Sequence, residues 1–154
     1  MNKQNQRQQI RMKGTSTIFF ISFVLMANLQ NSEGKRMSLE ETKEALEPLR
    51  KHCMEKVGMD SKMLDDVKKG IFATDWRSKC YFKCVLLNTK IMKNDKIVEK
   101  ALKNIVETML LEEYISPIMK IMEQCLPLVK KFKGCELAYE LAKCSYDPSL
   151  SFLQ

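Results

Sequence analysis

The chain has 154 residues, 45% of them hydrophobic, with 26 Lys and Arg against 19 Asp and Glu and a formal net charge of +7. Its single histidine, His52, is followed by a cysteine, and its five glycines are scattered, which leaves no Ser, His and Asp relay and no Gly-rich phosphate loop to build on. The length suits one domain with its own core, small enough to gain from covalent staples.

The first 14 residues carry Lys3, Arg7, Arg11 and Lys13 and no acid, and the ten residues from Ile18 to Ala27 are apolar except for Ser22. A basic start followed by a short apolar run has the form of a cleaved secretory signal peptide. Ten apolar residues fall short of the ~20 a helix needs to cross a bilayer, so a membrane anchor is the weaker reading. The expected leader is residues 1–29, with cleavage between 27 and 32, at Ala27 or Ser32; Met12 followed by Lys13 offers an alternative start. Residues 30–154 then form one domain with a tail at 145–154. Beyond residue 29 the balance is 22 basic to 19 acidic residues, or +3, with Lys and Glu interspersed. Lys130, Lys131 and Lys133 gather around Phe132; without a concentrated basic face they read as a solvated loop and not as a nucleic-acid surface.

Ser38 with Glu41 three residues on is a capping box, opening a helix from Leu39 to Val57 that Gly58 closes. Pro48 inside it removes an amide donor and crowds the preceding turn, which predicts a kink or a later start near Glu47. Asp60 caps a short helix to Lys69, with Met63, Leu64 and Val67 on one face and Gly70 past its end. Ile71 to Trp76 reads as a loop. From Arg77 to about Lys90, Cys80, Cys84, Leu87 and Ile91 share a stripe flanked by Tyr81 and Val85, marking a central helix. After the turn Lys93-Asn94-Asp95-Lys96, apolar residues from Ile97 to Met109 recur at helical spacing. Ser116 and Pro117 predict the start of the next helix, through Ile118, Met119, Ile121, Met122 and Cys125 to a stop at Pro127. Lys133-Gly134 leads into a last helix, Cys135 to Cys144, with Leu137, Ala138 and Leu141 facing inward. No stretch alternates for long enough to argue for a strand, so the expected class is all-α.

Six dispersed cysteines, Cys53, Cys80, Cys84, Cys125, Cys135 and Cys144, read as a disulfide framework in an exported chain. Cys80 and Cys84 lie one turn apart on a single stripe, and Cys135 and Cys144 are ~13 Å apart along a helix, so neither pair meets disulfide geometry. About ten of the 15 connectivities survive these exclusions. Structural zinc sites gather close-spaced ligand pairs, which these cysteines and one histidine do not supply; no metal and no cofactor is expected.

The cysteine series has three residues between the second and third members and eight between the fifth and sixth. Together with Lys69-Gly70, Cys80-Tyr81-Phe82-Lys83-Cys84 and the run from Cys135 to Cys144, it resembles the insect odorant-binding proteins of the pheromone-binding and general-odorant-binding family over residues 38–147. The resemblance implies a compact bundle of about six helices around a hydrophobic cavity, with interlocked bridges Cys53–Cys84, Cys80–Cys135 and Cys125–Cys144, each contributing about 2 to 4 kcal/mol. It also implies a secreted, extracellular carrier, not an enzyme, that moves odorants or pheromones through aqueous fluid. Its implied partners are a small hydrophobic ligand and a membrane odorant receptor, and its implied state a monomer or weak homodimer. Carriage of non-olfactory lipids and a helical protein-interaction module are the alternatives.

A carrier of this kind works by desolvation, about 25 cal/mol per Å² of apolar surface buried, with one or two polar groups setting orientation. The inward faces offer as wall residues Met63, Val67, Phe72, Trp76, Tyr81, Val85, Leu102, Ile105, Val106, Met109, Met119, Met122, Leu137, Ala138 and Leu141. Phe132 and the tail residues Leu150, Phe152 and Leu153 are candidates to cover the mouth. Tyr81, Tyr114, Tyr139 and Tyr146 are candidate hydrogen-bonding handles. A methionine stripe at helical spacing describes ordinary core equally well. A lone histidine beside Lys51 predicts weak pH gating through His52.

Overall fold

In the computed structural model, which describes residues 34–150, the elements run α1 (Leu39–Val57), α2 (Ser61–Lys68), α3 (Trp76–Asn88), β1 (Met92–Lys93), β2 (Lys96–Ile97), α4 (Glu99–Met109), α5 (Glu112–Val129) and α6 (Gly134–Cys144). The expected leader and the tail residues Phe152 and Leu153 lie outside the described residues. From Arg36 onward the chain forms one compact unit.

The capping box at the start of α1 closes in both directions: the Glu41 amide donates to Ser38 Oγ at 3.2 Å and the Ser38 amide to Glu41 Oε2 at 2.9 Å. Pro48 does not delay the start, and the helix is continuous from Leu39. Its ring is exposed on the outer face of the helix. Arg50 braces the same stretch by donating to the Lys43 carbonyl at 2.6 Å while pairing with Glu47 at 2.9 Å. Gly58, at φ +68°, ends α1, and the Met59 amide reaches back to the Met54 carbonyl at 2.9 Å. Asp60 and Asp75 cap α2 and α3 through their carboxylates.

Two further sequence expectations give way. The turn at Asn94-Asp95 is the tip of a hairpin, with Met92 paired to Ile97 and Lys93 to Lys96; both tip residues have positive φ, as a two-residue hairpin turn requires. Strands of two residues show no period, so the ladder is invisible to patterning. The second concerns α5, which begins at Glu112 and runs through both Pro117 and Pro127 to Val129. Each proline removes one amide donor, but both are exposed, and the opposite face buries Ile118, Met122, Cys125 and Val129 as one stripe. The start is set by long-range pairing: the Met37 amide donates to the Met109 carbonyl at 2.6 Å and the Leu111 amide to the Met37 carbonyl at 3.0 Å, while Arg36 pairs with Glu112.

The three disulfides are Cys53–Cys84, Cys80–Cys135 and Cys125–Cys144, with Cα separations of 5.7, 4.5 and 5.7 Å. They join α1 to α3, α3 to α6, and α5 to α6. The α3–α6 pair shares the most extensive packing, and the α1–α3 pair the next. The core centres on Tyr81, Val67, Val106, Cys53 and Ser78, all essentially inaccessible.

Candidate functional site

Two hollows in the unit from Arg36 onward lie along α5 and α6. The first is a small, partly open void of about 20 Å³. Phe82, Val85 and Leu86 from α3 and Ala138, Leu141 and Ala142 from α6 face each other across it, with Ile91, Leu102, Met122 and Ser145 completing the wall. Its one hydroxyl, Ser145 Oγ, donates to the Leu141 carbonyl at 2.7 Å, so the lining is effectively apolar. Such a space holds about one water-sized group.

The second is a cleft of about 560 Å³ at the hairpin end of the bundle. Its floor is Ile97, Leu126, Val129, Phe132 and Leu137, and its rim is Asn94, Asp95, Lys96, Glu99, Lys130 and Lys133. That volume falls within the 300 to 1,000 Å³ range of small-molecule sites. Leu126 lies one turn beyond Met122 on α5, and Leu137 one turn before Leu141 on α6, so the two hollows follow the same pair of helix faces.

The bracing around them is local and specific. Beside the Cys80–Cys135 bridge, Lys79 pairs with Glu136 at 2.6 Å, and that hydrogen bond holds the ammonium pKa above its ordinary value. Lys83 pairs with Asp95 at 2.7 Å, tying the hairpin tip to α3. The pair passes close over Gly134, where a Cβ would stand 3.7 Å from Lys83 Nζ. Lys130 and Glu99, 3.6 Å apart, link the end of α5 to the start of α4.

The tyrosines have separate fates. Tyr139 donates to the Phe72 carbonyl at 3.2 Å, holding the loop before α3, and Tyr146 to the Lys68 carbonyl at 3.1 Å, holding the end of α2. Phe72 packs against Phe82, Tyr139 and Tyr146 in one aromatic cluster. The Tyr114 hydroxyl is held above its usual pKa by its hydrogen bond to Glu113. Tyr81 is fully buried, and its hydroxyl has no hydrogen-bond partner among the described residues; burial drives its pKa upward.

Of the wall residues expected from sequence, Val85, Leu102, Met122, Ala138 and Leu141 line the void, and Phe132 and Leu137 line the cleft. Val67, Tyr81 and Val106 are buried in the core, with Met63, Phe72, Ile105 and Met119 packed against it. Met109 is half-buried at the end of α4. Trp76 is 63% exposed because it opens α3 directly after its Asp75 cap, and it lines neither hollow. Leu150 packs against the core, and Phe152 falls outside the described residues. His52 is exposed on α1, away from both hollows. Leu126 and Val129 continue the stripe of Met122 and Cys125 without standing among the expected wall residues; of the two, only Val129 lies beyond Pro127, where the sequence predicts the helix to end. Phe82 and Leu86 lie off the stripe of Cys80, Cys84, Leu87 and Ile91 that marks α3 in the sequence.

The profile of the PBP/GOBP family matches residues 35–147. General odorant-binding protein 72 of Anopheles gambiae is 29% identical over 117 residues, spanning 74% of this chain and 95% of that protein. The crystal structure of odorant binding protein 4 from Chrysopa pallens superposes with a TM-score of 0.67 at 30% identity, over 73% of this chain and 95% of that one. Odorant binding protein 5 of Apis mellifera shares the fold, with a TM-score of 0.66 at 21% identity over 74% and 95% of the two chains.

Proposed function

The chain belongs to the PBP/GOBP family, and from that premise we propose that it is a secreted carrier of small hydrophobic molecules of the odorant or pheromone class. The observation that carries the reading is the extent of the match: residues 35–147 include all three bridges and the walls of both hollows. Two of the proteins it is similar to, general odorant-binding protein 72 and odorant binding protein 4, agree with it in name. Three disulfides persist only in an oxidising compartment, which supports export to extracellular fluid. The role is binding and delivery, without a reaction.

In this reading a ligand loses its water at the cleft and gains about 25 cal/mol for each Å² of apolar surface it buries. Its inner end lies toward Val85, Leu102, Met122, Ala138 and Leu141. The flexible thioether of Met122 and the neighbouring leucines rearrange to enlarge the small void around it. Phe132 and Leu137 contact the outer part, and the remaining wall candidates hold the frame behind. Delivery by a monomer or weak homodimer to a membrane odorant receptor completes the proposed cycle.

The test is titration of the fully oxidised protein with a fluorescent apolar probe, followed by competition with volatile alcohols, esters and aldehydes. Saturable probe binding displaced by such volatiles is expected. Binding that no volatile displaces would point to another lipid as cargo, and an oxidised, folded protein that binds no probe would end the carrier reading.

A further inference from the structure

Deepening the carrier reading and resting on it, we propose that the cleft at the hairpin end selects an amphiphile with one negative charge, a fatty-acid-type carboxylate. Its head lies between Lys96 and Lys133 and its chain over the apolar floor. The basic cluster around Phe132, unremarkable in the sequence, supplies part of this rim.

Five charged side chains border the cleft: Asp95, Lys96, Glu99, Lys130 and Lys133. Both acids are already engaged, Asp95 with Lys83 at 2.7 Å and Glu99 with Lys130 at 3.6 Å. Lys96 and Lys133 have no carboxylate within ion-pair distance among the described residues. The rim therefore carries two uncompensated positive charges beside an apolar floor of Ile97, Leu126, Val129, Phe132 and Leu137. The Asn94 side-chain amide adds a neutral donor to the same edge. Lys131, the third cation of the cluster, is turned onto the Phe132 ring, 5.1 Å from its centroid, and is no part of the lining.

A hydrocarbon or neutral volatile in this cleft gains the floor and leaves both lysines in water. A cationic head is repelled. An anionic head gains two charge-assisted hydrogen bonds without displacing an existing ion pair. The lysines are exposed, so each pairing is worth the modest amount of a solvated ion pair, about 1.5- to 5-fold in affinity, and about 2- to 30-fold for the two. The prediction is thus a preference among chains of equal length, weakened by salt.

Dodecanoate and dodecanol, below their aggregation concentrations, are titrated into the oxidised protein by displacement of the apolar probe at low and at physiological ionic strength. The carboxylate is expected to bind more tightly than the alcohol, and the ratio of the two affinities to fall about 2- to 30-fold in the double variant Lys96→Gln with Lys133→Gln. Lys96→Arg with Lys133→Arg keeps the charge and should keep the ratio, which separates head recognition from any change in folding. An unchanged ratio in the glutamine variant, with both ligands still bound, overturns the inference and leaves the carrier reading standing. Failure of wild-type protein to bind probe, carboxylate or alcohol overturns both.

Discussion

Replacing Cys80 and Cys135 together by serine tests how much of the fold depends on the staple between its two central helices. This bridge spans 55 residues, and neither of the other two offers a shorter path between its ends. In the chain-entropy relation a loop of that length corresponds to about 4 kcal/mol, against about 3.7 for the 31-residue Cys53–Cys84 loop and about 3.2 for the 19-residue Cys125–Cys144 loop. The Cys80–Cys135 pair is the better probe because both residues are only half-buried, whereas Cys53 and Cys84 are buried in the core, where serine hydroxyls would add a desolvation cost. Lys79 and Glu136 remain to hold the helices in register. The expected loss of about 4 kcal/mol is a large share of the ~5 to 15 kcal/mol typical of a domain, so the variant should be folded in the cold and melt far earlier. Urea unfolding followed by circular dichroism measures it. A loss below about 1 kcal/mol with unchanged denaturant dependence would refute the argument that this staple restricts the unfolded chain.

Four further outcomes follow from particular residues and elements. Gly58→Ala, at φ +68° with nothing within 4 Å of the new Cβ, should cost about 1 kcal/mol. Gly70→Ala should cost about 2 to 3, because its Cβ would stand 2.9 Å from the Tyr146 ring; in a Tyr146→Ala background that excess should vanish in thermal unfolding. Burial holds the Tyr81 hydroxyl above its ordinary pKa of 10.0, so the unfolded chain loses this proton first. The contribution is therefore fully present below pH 10 and lost as pH rises through the higher folded value, while Tyr81→Phe should lack this alkaline loss and, at neutral pH, be neutral or up to about 1 kcal/mol more stable. Finally, amides of α4, which buries only Leu102 and Val106, should exchange with solvent faster than those of α3, and a bound ligand should slow them; equal protection in both helices would contradict this.

The helical frame was readable wherever a local signal agreed with the global packing. Ser38 with Glu41, Gly58, and Asp60 act as the capping rules describe, and the six cysteines form the bridges that the family resemblance implied. The signal at Ser116-Pro117 was equally clear and misleading, because α5 starts where Leu111 pairs with Met37, a contact between residues far apart in sequence. The hairpin escaped because only its tip, Asn94-Asp95, carries information, and two residues a side leave no alternation. Inward-facing residues could be named from periodicity, but whether a gap lies between them depends on helix separation. That separation is set by the summed volumes of many side chains, so a 20 Å³ void and a 560 Å³ cleft have the same signature in sequence.

The arrangement of the bridges decides which wall of the void can yield. They tie α1, α3, α5 and α6 into one frame and leave α2, α4 and the hairpin held by packing and polar contacts. A ligand larger than a water must displace something that lines the 20 Å³ void. Parting α3 from α6 works against the Cys80–Cys135 bridge and the 2.6 Å Lys79–Glu136 pair beside it. Moving α4, which contributes Leu102, requires breaking the Lys130–Glu99 pair, and freeing the hairpin tip that leads into α4 requires breaking Lys83–Asp95. Partly exposed pairs of this kind are worth about 0.2 to 1 kcal/mol each, well below the several kcal/mol of a covalent staple. The least costly route from the cleft to the interior therefore runs along the α4 side, between a fixed disulfide frame and the one void-lining helix that no bridge restrains.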